Sequence, residues 1–153
     1  MGGLIADRLP ALVRALTVGD GKGNLSKKGL AFFTVLPLGP IKKGLGGKIK
    51  IGIYRSEGFL VMGKEAERTE LEVKKSSFVS YCFKNIPAGP YAIAVFQDKN
   101  NDGKLNKNLF GAPKEPYGFS NNKYGRFGPP EFEDVCFEVK ENKSVFLTIH
   151  LSI

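Results

Sequence analysis

The run Tyr91-Ala-Ile-Ala-Val-Phe-Gln97 leads without a break into Asp98-Lys-Asn-Asn-Asp-Gly-Lys-Leu-Asn106, and this junction constrains the fold more than any other feature. Seven residues this apolar, with β-branched and aromatic members, predict a central strand covered on both faces. The residues after it are mostly Asp, Asn, Gly and Lys. Such a composition ends a strand, because Asp and Asn side chains bond their own backbone and Gly supplies the sharp turn.

Other segments repeat the β signal. Lys48-Ile-Lys-Ile-Gly-Ile-Tyr54 alternates, with Ile49, Ile51 and Ile53 on one face and Lys48 and Lys50 on the other, which predicts a strand with one wet face. Leu30–Leu36, Thr69–Lys74, Phe78–Phe83, Glu133–Val139 and Val145–Ile153 complete the set, separated by Gly-, Pro- and Lys-rich turns at 41–47 and 85–90. Residues 55–66 read as a connection carrying an apolar plug, Phe59 to Met62. Seven short strands with no helical crossover predict an all-β chain, a seven-stranded antiparallel β-sandwich.

With 153 residues the chain has room for one such domain, over 29–153, behind a short N-terminal extension over 1–28. Leu4, Ile5, Leu9, Leu12, Val13 and Leu16 have roughly helical spacing, broken near Pro10, so the extension reads as a short amphipathic helix. Asp7, Arg8, Arg14 and Asp20 interrupt any apolar core, so it does not resemble a secretory signal. No apolar run is long enough for a transmembrane segment.

The net charge of +8 raises the question of an anionic partner. Its lysines between Asp20 and Glu57 are scattered and no nucleic-acid motif accompanies them, so no nucleic-acid binding is expected. Cys82 and Cys136 lack CxxC spacing and the chain has one histidine, which leaves no ordinary zinc site. Two free thiols or one disulfide both fit the sequence. His150 falls on the polar face of the last strand and reads as a surface imidazole rather than a base.

The stretch 98–132 breaks the strand rhythm. Phe110, Tyr117, Phe119, Tyr124, Phe127 and Phe132 recur in it among Gly, Pro and Asn, and aromatics at that density predict an ordered cap held by their burial. At its entrance, Asp98, Asn100 and Asp102 alternate, Gly103 follows at the turning position, and Lys104 (by its carbonyl) and Asn106 continue the alternation. Calcium loops place oxygens in this D-x-N-x-D-G-x-x-N order. The twelfth position, where such loops carry a closing acid, is Leu109. Glu115 is the nearest downstream carboxylate able to replace it. Lys99, Lys104 and Lys107 weaken the attraction for a divalent cation. Two readings follow: a weak Ca²⁺ site that orders the cap, or Asx-turns satisfying their own backbone without an ion.

Asn85-Ile-Pro-Ala-Gly-Pro-Tyr91 through Asp98, the loop to Asn106, Phe110-Gly-Ala-Pro-Lys-Glu-Pro-Tyr-Gly-Phe-Ser-Asn122 and Phe127-Gly-Pro-Pro-Glu-Phe-Glu-Asp134 together resemble the signature blocks of a bacterial family, domain of unknown function 2141, over about residues 30–153. The resemblance implies a transthyretin-like or carboxypeptidase-regulatory-like sandwich of Greek-key type and an exported, periplasmic or extracellular protein. It implies no established activity. The family loop commonly reads D-x-N-x-N-G-x-x-D, so the Asp and Asn at the fifth and ninth positions are exchanged here.

The function expected on these grounds is a non-enzymatic binding or accessory module of the cell envelope. Tyr117, Phe119, Asn121, Asn122 and Tyr124 are its candidate ligand residues, as stacking surfaces and amide donors for a glycan or envelope protein. Burial within the cap is the competing role for Phe119 and Phe127. An enzyme is the less expected class: a hydrolase would draw on Asp98, Glu115 or Asp134, but no nucleophile with a base is signalled. A purely structural envelope protein is the remaining alternative.

Overall fold

A computed structural model describes residues 28–36, 47–72 and 79–153. The expected N-terminal helix, nearly all of the expected 41–47 turn and the junction Lys74–Ser77 lie outside the described residues. The strands are β1 (Lys28–Leu36), β2 (Lys48–Tyr54), β3 (Glu67–Glu72), β4 (Val79–Pro87), β5 (Gly89–Asp98), β6 (Tyr117–Phe119), β7 (Phe137–Val139) and β8 (Ser144–His150). They form one sheet in the order β4-β1-β8 and a second in the order β3-β2-β5-β6, with β7 also paired to β5. The described residues are therefore mostly β, with little helix.

The apolar run behaves as its composition requires. β5 pairs with β2, β6 and β7, all antiparallel. Tyr91, Ile93 and Val95 project into a core with Ile49, Ile51 and Ile53 of β2, Phe83 and Ile86 of β4, and Val139, Ile149 and Leu151. Ala92, on the alternate face of β5, packs with Phe119, Phe132 and Val135, with Ala94 and Phe59 alongside. Both faces of β5 are thus covered, and one core joins residues from the two sheets. Opposite the isoleucines, Lys48 and Lys50 of β2 both reach Glu70 of β3, the cross-strand charge pairing that a wet face allows.

Three expectations change. The described residues hold eight strands rather than seven, because β6 lies inside the stretch expected to be cap loop. The sheet order is not wholly antiparallel, since β8 runs parallel to β1. The strand expected over Glu133–Val139 shrinks to β7, and Phe132–Val135 forms a single helical turn, α1. Glu133 and Asp134 occupy that first turn, where acidic side chains suit the exposed N–H groups, while Phe132 and Val135 turn inward.

The apolar plug is also smaller than expected. Phe59 stacks edge-on against Tyr54, Phe119 and Phe132, whereas Leu60, Val61 and Met62 remain exposed. Cys82 and Cys136 are half-buried free thiols.

Candidate functional site

Asp98 closes β5 opposite Lys48 and is fully buried. Its carboxylate turns back on the loop it opens: Oδ1 accepts the Asp102 N–H at 3.1 Å and Oδ2 the Gly103 N–H at 2.8 Å. The chain can reverse this tightly because Asn101 (φ 59°) and Gly103 (φ 83°) take left-handed backbone, which Gly and Asn tolerate best.

Glu115 braces the same loop from its other side. Oε1 accepts the Lys99 N–H at 2.8 Å and Oε2 the Asn106 N–H at 3.0 Å, so one buried carboxylate holds the first and last parts of the turn together. Strand pairing delivers it there. Phe96 stands opposite Tyr117, Gln97 donates to the Pro116 carbonyl at 2.8 Å, and Glu115 falls beside the loop entrance.

The remaining loop side chains bond one another. Asp102 Oδ2 accepts the amides of Asn100 at 3.0 Å and Asn106 at 2.7 Å, while Oδ1 accepts the Lys104 N–H at 2.9 Å. Asn100 also donates to Asn106 Oδ1 at 3.0 Å and accepts the Asp102 N–H at 3.3 Å. The Lys104 N–H, and then the Asn100 amide, hold the Asp102 carboxyl below its ordinary range. Lys50 joins this group, although its local sequence marks it only as a wet-face strand residue. Its Nζ lies 3.0 Å from Glu70 Oε2 and 3.8 Å from Asp98 Oδ2, so a lysine on the wet face of β2 brings positive charge to the buried end of the loop.

Five of the residues expected to ligate calcium are thus brought together, in two sets. Asn100, Asp102 and Asn106 converge side chain to side chain, and Asp98 and Glu115 face backbone N–H groups. Among the described residues no group of three or more His, Cys, Asp and Glu stands ready to hold a metal, and no buried side-chain N or O lacks a hydrogen-bond partner. The side chains that converge are two neutral amides and one carboxylate, a donor set that fits a weakly held hard cation and not a tight one.

The expected ligand residues form a second group along β8. Asn121 and Asn122 take left-handed backbone (φ 60° and 53°). Asn121 donates to the Cys136 carbonyl at 2.8 Å. Asn122 donates to the Thr148 carbonyl and accepts the His150 N–H, both at 2.8 Å, so its amide stands in for a neighbouring strand. Tyr124 donates to the His150 carbonyl at 2.7 Å, and its ring meets Tyr117 edge-on at 5.6 Å and Phe119 at 6.2 Å. Tyr117 pairs its backbone with Ser152. His150 is exposed.

Burial divides the cap aromatics. Phe119 and Phe132 are buried, while Phe110 is 95% and Phe127 96% exposed. The expectation that all of them order the cap by burial fails at these two. Asp134, the third carboxylate considered for catalysis, is exposed on α1.

A mostly β chain with a buried carboxylate on either side of an Asp/Asn/Gly loop is the class these features define. The chain belongs to the family described as "Uncharacterized protein conserved in bacteria (DUF2141)", which matches residues 42–146. No curated protein matches it. Among solved structures, the "Pilus-presented adhesin, Spy0125 (Cpa)" is similar at 10% identity and a TM-score of 0.34, covering 83% of this chain and 28% of that one. A similarity of that size carries no argument about fold or function. No helix of the described residues is long and apolar enough to cross a membrane.

Proposed function

We propose that the chain is a non-enzymatic binding or accessory module of the bacterial cell envelope, a transthyretin-like β-sandwich of Greek-key type. The observation that carries this reading is the use made of the two carboxylates buried among the described residues. Asp98 and Glu115 each accept two backbone N–H groups, so two of the three acids that a hydrolase would draw on are engaged in shaping a loop. The resemblance to an exported family supports a periplasmic or extracellular setting.

In this reading the loop is a clip for the cap, complete without an ion and open to weak Ca²⁺ binding. Asp98, Asn100, Asp102, the Lys104 carbonyl and Asn106 would hold the cation, and Glu115 would brace the turn behind them. Binding is weak because Asn100 and Asn106 must give up their bonds to Asp102 and because Lys50 and Lys104 add positive charge nearby. The adjacent Tyr117–Tyr124 pair is the stacking surface for a glycan or envelope partner. It is the half-exposed ring of Tyr124 that a sugar face would meet.

Calorimetric titration with millimolar calcium, with Asp98→Ala and Asp102→Ala as controls, tests the clip. Absence of heat and of any thermal shift in the wild type would remove calcium from the account. A glycan array probed with wild type, Tyr117→Ala and Tyr124→Ala tests the surface. Binding that is unchanged in both variants would remove these tyrosines from it.

A further inference from the structure

Beyond the Asp98–Asn106 loop the chain forms a second, narrower turn whose geometry is as closely specified. Asn108 Oδ1 accepts the N–H groups of Phe110 at 2.9 Å and Ala112 at 3.0 Å. The Asn108 N–H donates to the Ala112 carbonyl at 2.8 Å, and the Gly111 N–H to the Asn108 carbonyl at 3.0 Å. Below the turn Lys107 bridges to Pro113, and the Lys114 N–H donates to the Asn106 carbonyl at 2.8 Å. This hydrogen bonding fixes the apex, and the apex is Leu109-Phe110, exposed at 102% and 95%.

Two adjacent large apolar side chains held fully in water by an ordered turn are unlike the single exposed apolar residues that any surface carries. The turn itself is basic, between the exposed Asp102 and the buried Glu115. Residues 103–114 contain Lys104, Lys107 and Lys114 and no acid, and all three lysines are exposed. An apolar apex above a basic stem matches, in depth order, the acyl boundary and the phosphate layer of an anionic bilayer. The long lysine stems can lie along the apolar boundary while their ammonium groups reach phosphate.

We propose that the Leu109-Phe110 tip inserts into the interface of an anionic lipid bilayer, with Lys104, Lys107 and Lys114 engaging the headgroups. The proposal stands on the tip and its collar, and holds whether or not the loop binds calcium or the tyrosines bind a glycan.

The chain contains no tryptophan, so Phe110→Trp in the full chain places a single reporter at the apex. With vesicles of phosphatidylcholine containing about 30% phosphatidylglycerol at low salt, its emission shifts to the blue, and with phosphatidylcholine alone it shifts little. In cosedimentation, Leu109→Ser with Phe110→Ser weakens partitioning at least about tenfold. Lys107→Gln with Lys114→Gln weakens it roughly 25-fold, near fivefold for each lysine. These side chains project from the turn, so thermal unfolding reports whether each variant folds as the wild type does. An unshifted tryptophan on anionic vesicles overturns the proposal and redirects the tip to a protein pocket. Partitioning that survives the double serine change overturns it too, because it assigns the binding to another basic surface.

Discussion

Glu115 Oε1 accepts the backbone N–H of Lys99 at 2.8 Å, across a separation of 16 residues. Its other oxygen holds Asn106, so removing the carboxylate strands two N–H groups at once. An unsatisfied buried donor costs about 1–3 kcal/mol. Glu115→Ala is therefore expected to destabilise the protein by roughly 2–4 kcal/mol in denaturant unfolding. Glu115→Gln keeps one acceptor and should lose about half as much.

Gly103 has φ 83° and open space where a Cβ would stand. The cost of substitution there is backbone strain and not a clash. Gly103→Ala should cost about 1–2 kcal/mol and Gly103→Asn less, since Asn visits left-handed backbone more readily. Equal stability of the two variants would show that this conformation does not limit the loop.

Asn122 replaces a strand with one amide, meeting Thr148 and His150 of β8. Asn122→Ala should lower stability by about 1–2 kcal/mol and speed amide exchange at His150. Tyr124→Phe removes one bond to the His150 carbonyl, leaves the ring contacts, and should cost less.

Glu70, between Lys48 and Lys50, is held down to about 2 from its ordinary 4.5, first by hydrogen bonds from Lys48 and then Lys50. A carboxyl with a lowered folded-state pKa adds stability above its ordinary value and loses it as pH falls towards the folded value. The thermal midpoint should therefore fall between pH 4.5 and 2 more steeply in the wild type than in Glu70→Gln. Asp102, also lowered, acts with the same sign. Salt should shrink the Glu70 difference, because the pair is exposed.

Tyr54 moves the other way, pushed up to about 12 by burial and then by the charge of Glu65. The folded state favours its neutral form, so stability is held below pH 10 and lost as pH rises towards 12. Tyr54→Phe should flatten that alkaline decline in a thermal series.

What could be read from sequence was what neighbouring residues specify together. The period of two in Ile49, Ile51 and Ile53 gave β2 and its buried face, and the uninterrupted apolar run gave β5. Asp98, Gly103 and the Asx alternation gave the loop. Relationships across the sheets were less legible. Glu115 reads in sequence as a closing acid for a cation, and its bonds to the Lys99 and Asn106 N–H groups follow only from the pairing of β6 with β5. Lys50 looked like a solvated strand lysine because Glu70 and Asp98 approach it only through two separate registers. Asn122 carries no local mark of its place beside β8. Phe110 and Phe127 gave the opposite signal to their position, since hydrophobicity alone predicts burial.

Asp98 and Glu115 hold the loop by its own backbone N–H groups. Amide hydrogen exchange read by NMR in the presence of chelator tests it most directly. Exchange should be slow at Lys99, Asp102, Gly103 and Asn106 in the wild type, with Lys99 and Asn106 released in Glu115→Ala and Asp102 and Gly103 in Asp98→Ala. Exchange at all four amides near the unprotected rate until calcium is added would contradict it.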